Sequence, residues 1–310
     1  MISVVIVTKY ERWDDLDNCL SALAKQKFQD FEIIIVVPKN VNPQIQDLSP
    51  TKWITHVISQ GGVGISNARN CGVKAAKGEV IAFTDDDAEP HRDWLEKIKQ
   101  HFDQQPELDY LGGEFTLEPK NIWQRWILKR YHLSPTAIEA GLCHGNNMAY
   151  KRAVFDTFQF DENLLFGADE SEFQTRLKAA GLLGTTFQDL LIRHQHRNSF
   201  LSFSKMRWGY GQGHSYLYEV KYRQALFHWN DLLNVAFFIS FLYAALLTLR
   251  GVVWFWLFPT FFFVVTASHE KQSDATMTVW LIDVYVSMLW TLSKMYHSLK
   301  YHLKRWGWIR

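Results

Sequence analysis

The stretch Ile81-Ala82-Phe83-Thr84-Asp85-Asp86-Asp87-Ala88-Glu89-Pro90 holds the densest chemistry in the chain. An apolar run ends in three successive acids, Pro90 bars the strand from continuing, and a helical pattern follows from His91. Three adjacent carboxylates repel one another and are best tolerated in water or around a cation. At the carboxyl end of a buried strand they stand where open α/β sheets bind ligands. Carboxylate oxygens are hard donors suited to Mg²⁺ or Mn²⁺, and such ions keep positions open for substrate phosphates. The plain alternative is a solvated acidic turn that caps the next helix.

Four further stretches have chemistry to offer. Gly61 to Gly72 is a glycine turn opening a helix, which would present free N–H groups to an anion, with Arg69 as a fixed cation. Its glycine spacing is neither the dinucleotide fingerprint nor a Walker loop, and a structural turn is the commoner use. Gly145-Asn146-Asn147-Met148 offers side-chain amides able to bond sugar hydroxyls, or else a polar turn. Asp169-Glu170 opens a helix running through Arg176, Leu177 and Ala180 to Gly181. These acids either complement the helix dipole or supply a general base. His194 and His196 close a strand, and a histidine there is a metal ligand only if a site lies beside it.

Elements must bring these groups together. Ile2 to Val7 and Phe31 to Val37 are β-branched runs typical of strands buried on both faces. Between them Leu16, Cys19, Leu20 and Leu23 recur at helical spacing. Strand, helix, strand in this order predicts a βαβ unit with parallel pairing and a right-handed crossover. Further strands are expected over Trp53–Ile58, Glu79–Thr84 and Tyr110–Leu117, with a helix over Trp94–Phe102. Asn121–His132 mixes Trp, Ile and Leu with Arg and Lys, as either a surface helix or one lying on anionic lipid.

The 310 residues carry 33 Lys+Arg against 32 Asp+Glu, so nothing in the charge points to nucleic acid. Cys19, Cys71 and Cys143 lack zinc-ligand spacing and read as reduced thiols of a cytoplasmic compartment. The N-terminus passes straight into a strand, and no signal peptide is expected. Aromatic residues concentrate toward the C-terminus. There a basic, aromatic zone over residues 201–230 precedes two apolar blocks, Leu232–Leu249 and Val252–Ser268. Each is at the short end of what a spanning helix needs, and together they predict a transmembrane hairpin over residues 231–268. The basic flank puts the catalytic domain, residues 1–200, on the cytoplasmic side of the cell membrane. A third block, Met277–Leu292, has Thr276, Asp283, Ser287, Thr291, Lys294 and Ser298 on one polar stripe. Residues 269–310 therefore read as an interfacial helix with a basic tail.

Taken in order, these segments resemble the family 2 glycosyltransferases of the GT-A fold. Gly64 to Asn70 with Gly72 resembles that family's "G…ARN.G", and Phe83 to Pro90 followed by Trp94-Leu95 resembles its Asp-x-Asp segment. Gly145, Asn147, Met148 and Arg152 resemble "G.NM..RR", and Asp169-Glu170 with Arg176-Leu177 falls where the family has Glu-Asp and Arg-Leu. The resemblance covers roughly residues 1 to 197. It implies an α/β fold with a Rossmann-like, mostly parallel sheet flanked by helices, and an inverting, metal-dependent hexosyl transfer from a nucleotide sugar. Asp85 and Asp87 would hold Mg²⁺ or Mn²⁺, with His194 as a third ligand. Thr8, Lys39, Arg69, Asp86 and Asn147 would serve the donor, and Glu170 or Asp169 would be the base. The hydrophobic tail suggests a lipid-linked or polysaccharide acceptor at the membrane. Departures from the family pattern are Val36-Val37-Pro38-Lys39-Asn40 in place of acids after the second strand, Thr8-Lys9-Tyr10 after the first, and the reversed order Asp169-Glu170. The altered second-strand segment is also compatible with a non-catalytic nucleotide-sugar-binding scaffold.

Overall fold

The computed structural model describes residues 1–9, 11–41, 54–130, 141–196, 199–222 and 277–305, with isolated positions at 138, 236, 239, 240 and 243. The chain forms two compact units, Met1–Asn198 and Ser199–Arg310.

Among the described residues, the first unit is built on an eight-stranded sheet. Its strands are β1 (Ile2–Val7), β2 (Phe31–Val37), β3 (Ile54–Ser59), β4 (Val80–Asp85), β5 (Ala88–Pro90), β6 (Tyr110–Thr116), β7 (Asn147–Lys151) and β8 (Gly184–His194), in the order β3-β2-β1-β4-β7-β6-β8-β5. The helices are α1 (Trp13–Ala24), α2 (Ile65–Ala75), α3 (Trp94–Gln104), α4 (Ile122–Arg130), the short α5 (Val154–Thr157) and α6 (Asp169–Ala179).

The β-branched runs behave as their composition demands. β1, β2 and β4 lie side by side in parallel, and nearly all of their residues are buried because helices cover both faces. Pairing direction differs from expectation farther along. β7 runs antiparallel to both β4 and β6, and β5 runs antiparallel to β8, so the sheet is mixed rather than mostly parallel. The chain after the acids also departs from expectation. It forms the short edge strand β5 before α3 begins at Trp94, and Pro90 pairs with Ile192. Proline is tolerated there because an edge strand can leave one N–H side without a ladder partner.

The core of this unit is aromatic. Phe83, Tyr110, Tyr150, Phe160 and Phe173 are buried together, with Phe160 and Phe173 stacked at 4.2 Å between ring centroids. Gly72 sets how closely α2 approaches the sheet, because a Cβ there would collide with Val5. The tight seat fixes the helix that carries Arg69. α4 lays Trp126 and Ile127 into the protein and its Gln124 side chain donates to His196 O at 2.8 Å, the arrangement of an ordinary surface helix.

In the second unit, α7 (Phe200–Ser215) begins at a capping box in which Ser199 Oγ accepts from Ser202 N, and it continues into a π-helical turn over Tyr216–Lys221. It pairs with α8 (Met277–Arg305) through small and polar groups: Ser293 Oγ donates to Trp208 O at 2.6 Å, Ser215 Oγ donates to Lys294 O at 3.1 Å, and Ser204 and Tyr285 hydroxyls meet at 2.7 Å. The polar stripe expected to face water is turned the other way in part, since Thr291 and Lys294 are buried. Leu292, Met295, Tyr296 and Leu299, at helical spacing, are exposed instead. Among the described residues no helix is long and apolar enough to cross a membrane. The two apolar blocks, Leu232–Leu249 and Val252–Ser268, lie outside the described residues except for four positions.

Candidate active site

The acids stand at the carboxyl end of β4, beside the ends of β1 and the final strand β8. Each acid has its own partners. Asp86 accepts from Thr8 Oγ1 at 2.6 Å and from Arg12 Nη2 at 2.6 Å. Asp87 accepts from Arg12 Nη1 at 2.5 Å through Oδ2, and its Oδ1 lies 3.0 Å from His194 Nε2. The same imidazole nitrogen lies 3.3 Å from Asp85 Oδ2. Backbone pairing brings His194 there: it is the register partner of Ala88, and Gln195 N donates to Asp87 O at 2.9 Å.

Electrostatics sort these groups. Burial, seconded by Asp87, lifts Asp86 to about 6, against the pull of Arg12 and the Thr8 hydrogen bond. Burial would raise Asp87 too, but His194 and Arg12 outweigh it and hold the carboxyl far below the usual range. For His194 burial works downward, yet Asp87 and Asp85 raise it to about 10. The two carboxylates thus favour a positive charge between them, which a proton on the imidazole or a divalent ion would supply. Asp85, Asp87 and His194 each offer one ligand atom, and the three lie within 4.8 Å of one another. Two carboxylate oxygens and an imidazole nitrogen form a donor set that fits a divalent ion such as Mg²⁺ or Mn²⁺.

The second acidic pair enters from α6. Gly167 and Ala168 both adopt left-handed backbone, φ 75° and 64°, and swing the chain so that Asp169 and Glu170 open the helix. A non-glycine residue at positive φ is uncommon, and such geometry collects at functional sites. Asp169 is buried in a close ion pair with Arg69 Nη1, and Arg69 Nη2 donates to Gly145 O at 3.1 Å. Burial and the charge of Asp169 raise Glu170 to about 8, partly offset by Arg69. Asp169 is therefore the counter-ion of Arg69, whereas Glu170 is the acid of the pair whose carboxyl holds its proton into the neutral range. Both Asp85 and Glu170 lie within the electrostatic reach of Arg69, so the two acidic clusters flank one guanidinium.

Two residues expected at the donor have framework positions. Arg69 is almost fully buried, with its guanidinium over Phe83 and Phe160 at 6.0 and 5.5 Å, and it is ion-paired with Asp169. Asn147 is fully buried: its amide nitrogen donates to Glu114 O and Leu190 O, both at 2.9 Å, and its oxygen accepts from Trp94 Nε1 at 2.8 Å. That amide joins β6, β7, β8 and α3. Lys39 is exposed in the turn after β2, and the Thr8 hydroxyl donates to Asp86. Arg12 went unrecognised. The signal available was a cation a few residues past the end of the strand that neighbours the acids.

A family model described as Glycosyl transferase family 2 matches residues 3–158. The chain is similar to the uncharacterized glycosyltransferase EpsJ of Bacillus subtilis (strain 168), 24% identical over 212 residues that make up 63% of this chain and 61% of that protein. It is also similar to the glucosyl-dolichyl phosphate glucuronosyltransferase of Haloferax volcanii, 25% identical over 50% of this chain and 53% of the relative. The chain thus matches a little over half the length of these relatives. Among solved structures, the mannosyltransferase PcManGT from Pyrobaculum calidifontis, in complex with GDP-Man and Mn²⁺, superposes with a TM-score of 0.62 at 14% identity, covering 96% of this chain and 86% of that one. S. aureus TarS residues 1–349, in complex with UDP-GlcNAc, superposes at 0.50 with 18% identity over 69% and 66% of the two chains. At these identities the likeness is one of fold.

Proposed function

Since the chain belongs to glycosyl transferase family 2, we propose that it moves a sugar, with inversion, from a nucleoside-diphosphate donor to an acceptor hydroxyl in a divalent-ion-dependent reaction. The observation that carries the reading is the pairing of a cation-fitting donor set, Asp85, Asp87 and His194, with a separate carboxylate of raised pKa, Glu170. Donors of this class are the ligands held by the structural neighbours PcManGT and TarS.

In this reading Asp85, Asp87 and His194 hold the ion. When bound, it supplies the positive charge that stabilises a departing diphosphate. Arg12 and Thr8 engage Asp86 and the second oxygen of Asp87, while the other Asp87 oxygen faces His194. Glu170 accepts the proton of the attacking hydroxyl, and the neighbouring Asp169 charge makes it a stronger base. Arg69 fixes Asp169 and so sets the position of Glu170.

The acceptor is proposed to be membrane-associated, either lipid-linked or a growing polysaccharide, with the protein attached to the cell membrane. Support comes from the apolar blocks over residues 231–268 and from the exposed apolar ridge of α8 beside Lys300 and Lys304.

The decisive experiment is donor turnover by Asp87→Asn, assayed by mass spectrometry with a panel of nucleotide sugars, Mn²⁺ and membrane extract. Loss of transfer in a protein that still folds is expected, with a lowered melting temperature because Asp87 is the counter-charge of Arg12 and His194. Full turnover in that variant, or equal turnover of the wild type in EDTA, would overthrow the ion-dependent reading.

A further inference from the structure

We propose that Asn146, and not its neighbour Asn147, is the amide that accepts a hydrogen bond from a hydroxyl of the transferred sugar. The inference rests on the transfer reaction proposed above and adds a residue for sugar selection.

Position is the first argument. The β4–β7 ladder ends on the rung Thr84↔Asn147. Asp85 follows Thr84 and Asn146 precedes Asn147, so both leave the same rung at the same end of the sheet. On the other side of Asn146 is Gly145, whose carbonyl takes Arg69 Nη2. A Cβ at Gly145 would come within 3.2 Å of the Glu170 carboxyl carbon. Asn146 therefore lies between a candidate ion ligand and the candidate base. In the proposed reaction the transferred sugar must occupy that interval, joined to the diphosphate on one side and approached by the acceptor on the other.

The second argument is an unmet hydrogen bond. Asn146 is only 9% exposed, and its Oδ1 has no hydrogen-bond partner among the described residues. A buried acceptor left without a donor carries the full desolvation penalty of that group, so native structures rarely keep one without a reason. A sugar hydroxyl is the donor that the proposed substrate brings. Asn147, the amide more readily picked out from sequence, has both ends of its side chain engaged by protein.

The test compares wild type, Asn146→Ala and the near-isosteric Asn146→Asp. Calorimetry with Mn²⁺ would measure binding of UDP and GDP alone and of a panel of UDP- and GDP-hexoses, alongside melting curves. For Asn146→Ala the expectation is unchanged binding of the bare nucleoside diphosphate. Affinity or kcat/KM for the preferred nucleotide sugar should fall by about 2- to 13-fold, the range for one neutral hydrogen bond, and discrimination between hexose epimers should shrink. The melting temperature should hold or rise, because an unmet polar group has been removed. A folded Asn146→Ala with wild-type affinity and epimer preference overturns the inference alone. So does a melting temperature lowered in both variants with the epimer preference intact, which would mark a structural role. Failure of the wild type to bind any nucleoside diphosphate with Mn²⁺ overturns the transferase reading and this inference together.

Discussion

Replacing Arg12 by Ala removes the guanidinium that bridges Asp86 and Asp87, and the structure allows the cost to be worked out. Its two bonds to the acids measure 2.5 and 2.6 Å and are charge-assisted. Such bonds are worth about 1.5–3 kcal/mol each when fully buried. The Arg12 side chain is 33% exposed, so solvent already screens part of that gain. The carboxylates it leaves behind are 10% and 5% exposed and cannot hydrate freely. A net loss of about 1–3 kcal/mol is expected, or about 2–10 °C in Tm for a domain of this size. The loss should depend on pH. Burial and Asp87 already raise Asp86 to about 6, so the folded state holds that proton more tightly than the unfolded chain. Stability is therefore shed as pH climbs from the ordinary carboxylate value through about 6, and removing Arg12 extends that window upward. The deficit should be larger at pH 8 than at pH 5. Excess Mn²⁺ should narrow it, because a variant whose carboxylates lack the guanidinium gains more from a bound cation than the wild type does. The measurement is a set of thermal melts of both proteins at two pH values, with and without the ion. A variant as stable as wild type, or a deficit indifferent to both Mn²⁺ and pH, would refute the assignment of Arg12 as the counter-charge of the acids.

Other expectations concern the second acidic pair and the C-terminal unit. Glu170→Gln should lower kcat about 10²- to 10⁴-fold with little change in Tm, the usual range for a lost general base. Asp169→Asn should instead destabilise the fold by about 3–5 kcal/mol by leaving Arg69 buried without its counter-charge; thermal melts set beside turnover assays separate the two. With Glu170 raised to about 8, its basic form gains with pH, so the limiting rate should rise about tenfold per unit up to that value and then level off. A profile flat between pH 6 and 9 would remove Glu170 from the role. Charging the exposed ridge of α8, by Met295→Asp with Leu299→Asp, should reduce flotation with anionic vesicles while leaving binding of soluble nucleotide sugars unchanged.

What the sequence made legible was mostly local. β-branched runs exposed β1 and β2, the apolar run before the acids exposed β4, and helical spacing of Leu16, Cys19, Leu20 and Leu23 exposed α1, all of whose expected core residues are buried. The acids, His194 and the Asp169-Glu170 pair could be singled out by type and place. Partnership was not legible, because it is decided between residues far apart in the chain. The direction of β7 and the use of Ala88–Pro90 as an edge strand depend on pairing with β6 and β8, and no local pattern announces which strands pair. Arg69 and Asn147 have side chains suited to a ligand, yet Asp169 and Trp94 claim them inside the protein. The stripe on α8 was identifiable as a stripe, but which side packs depends on the small residues of α7 such as Gly211, where a Cβ would come within 2.5 Å of Ser293.

The contact of His194 with Asp85 joins residues 109 positions apart, and β8 is the last strand of its unit to be made. A nascent chain that has finished β4 already displays the acids but lacks their imidazole. In the proposed ion-dependent reaction, capture of the ion would wait for the closing strand to dock, and a Mn²⁺-binding signal followed during refolding would time the completion of the domain.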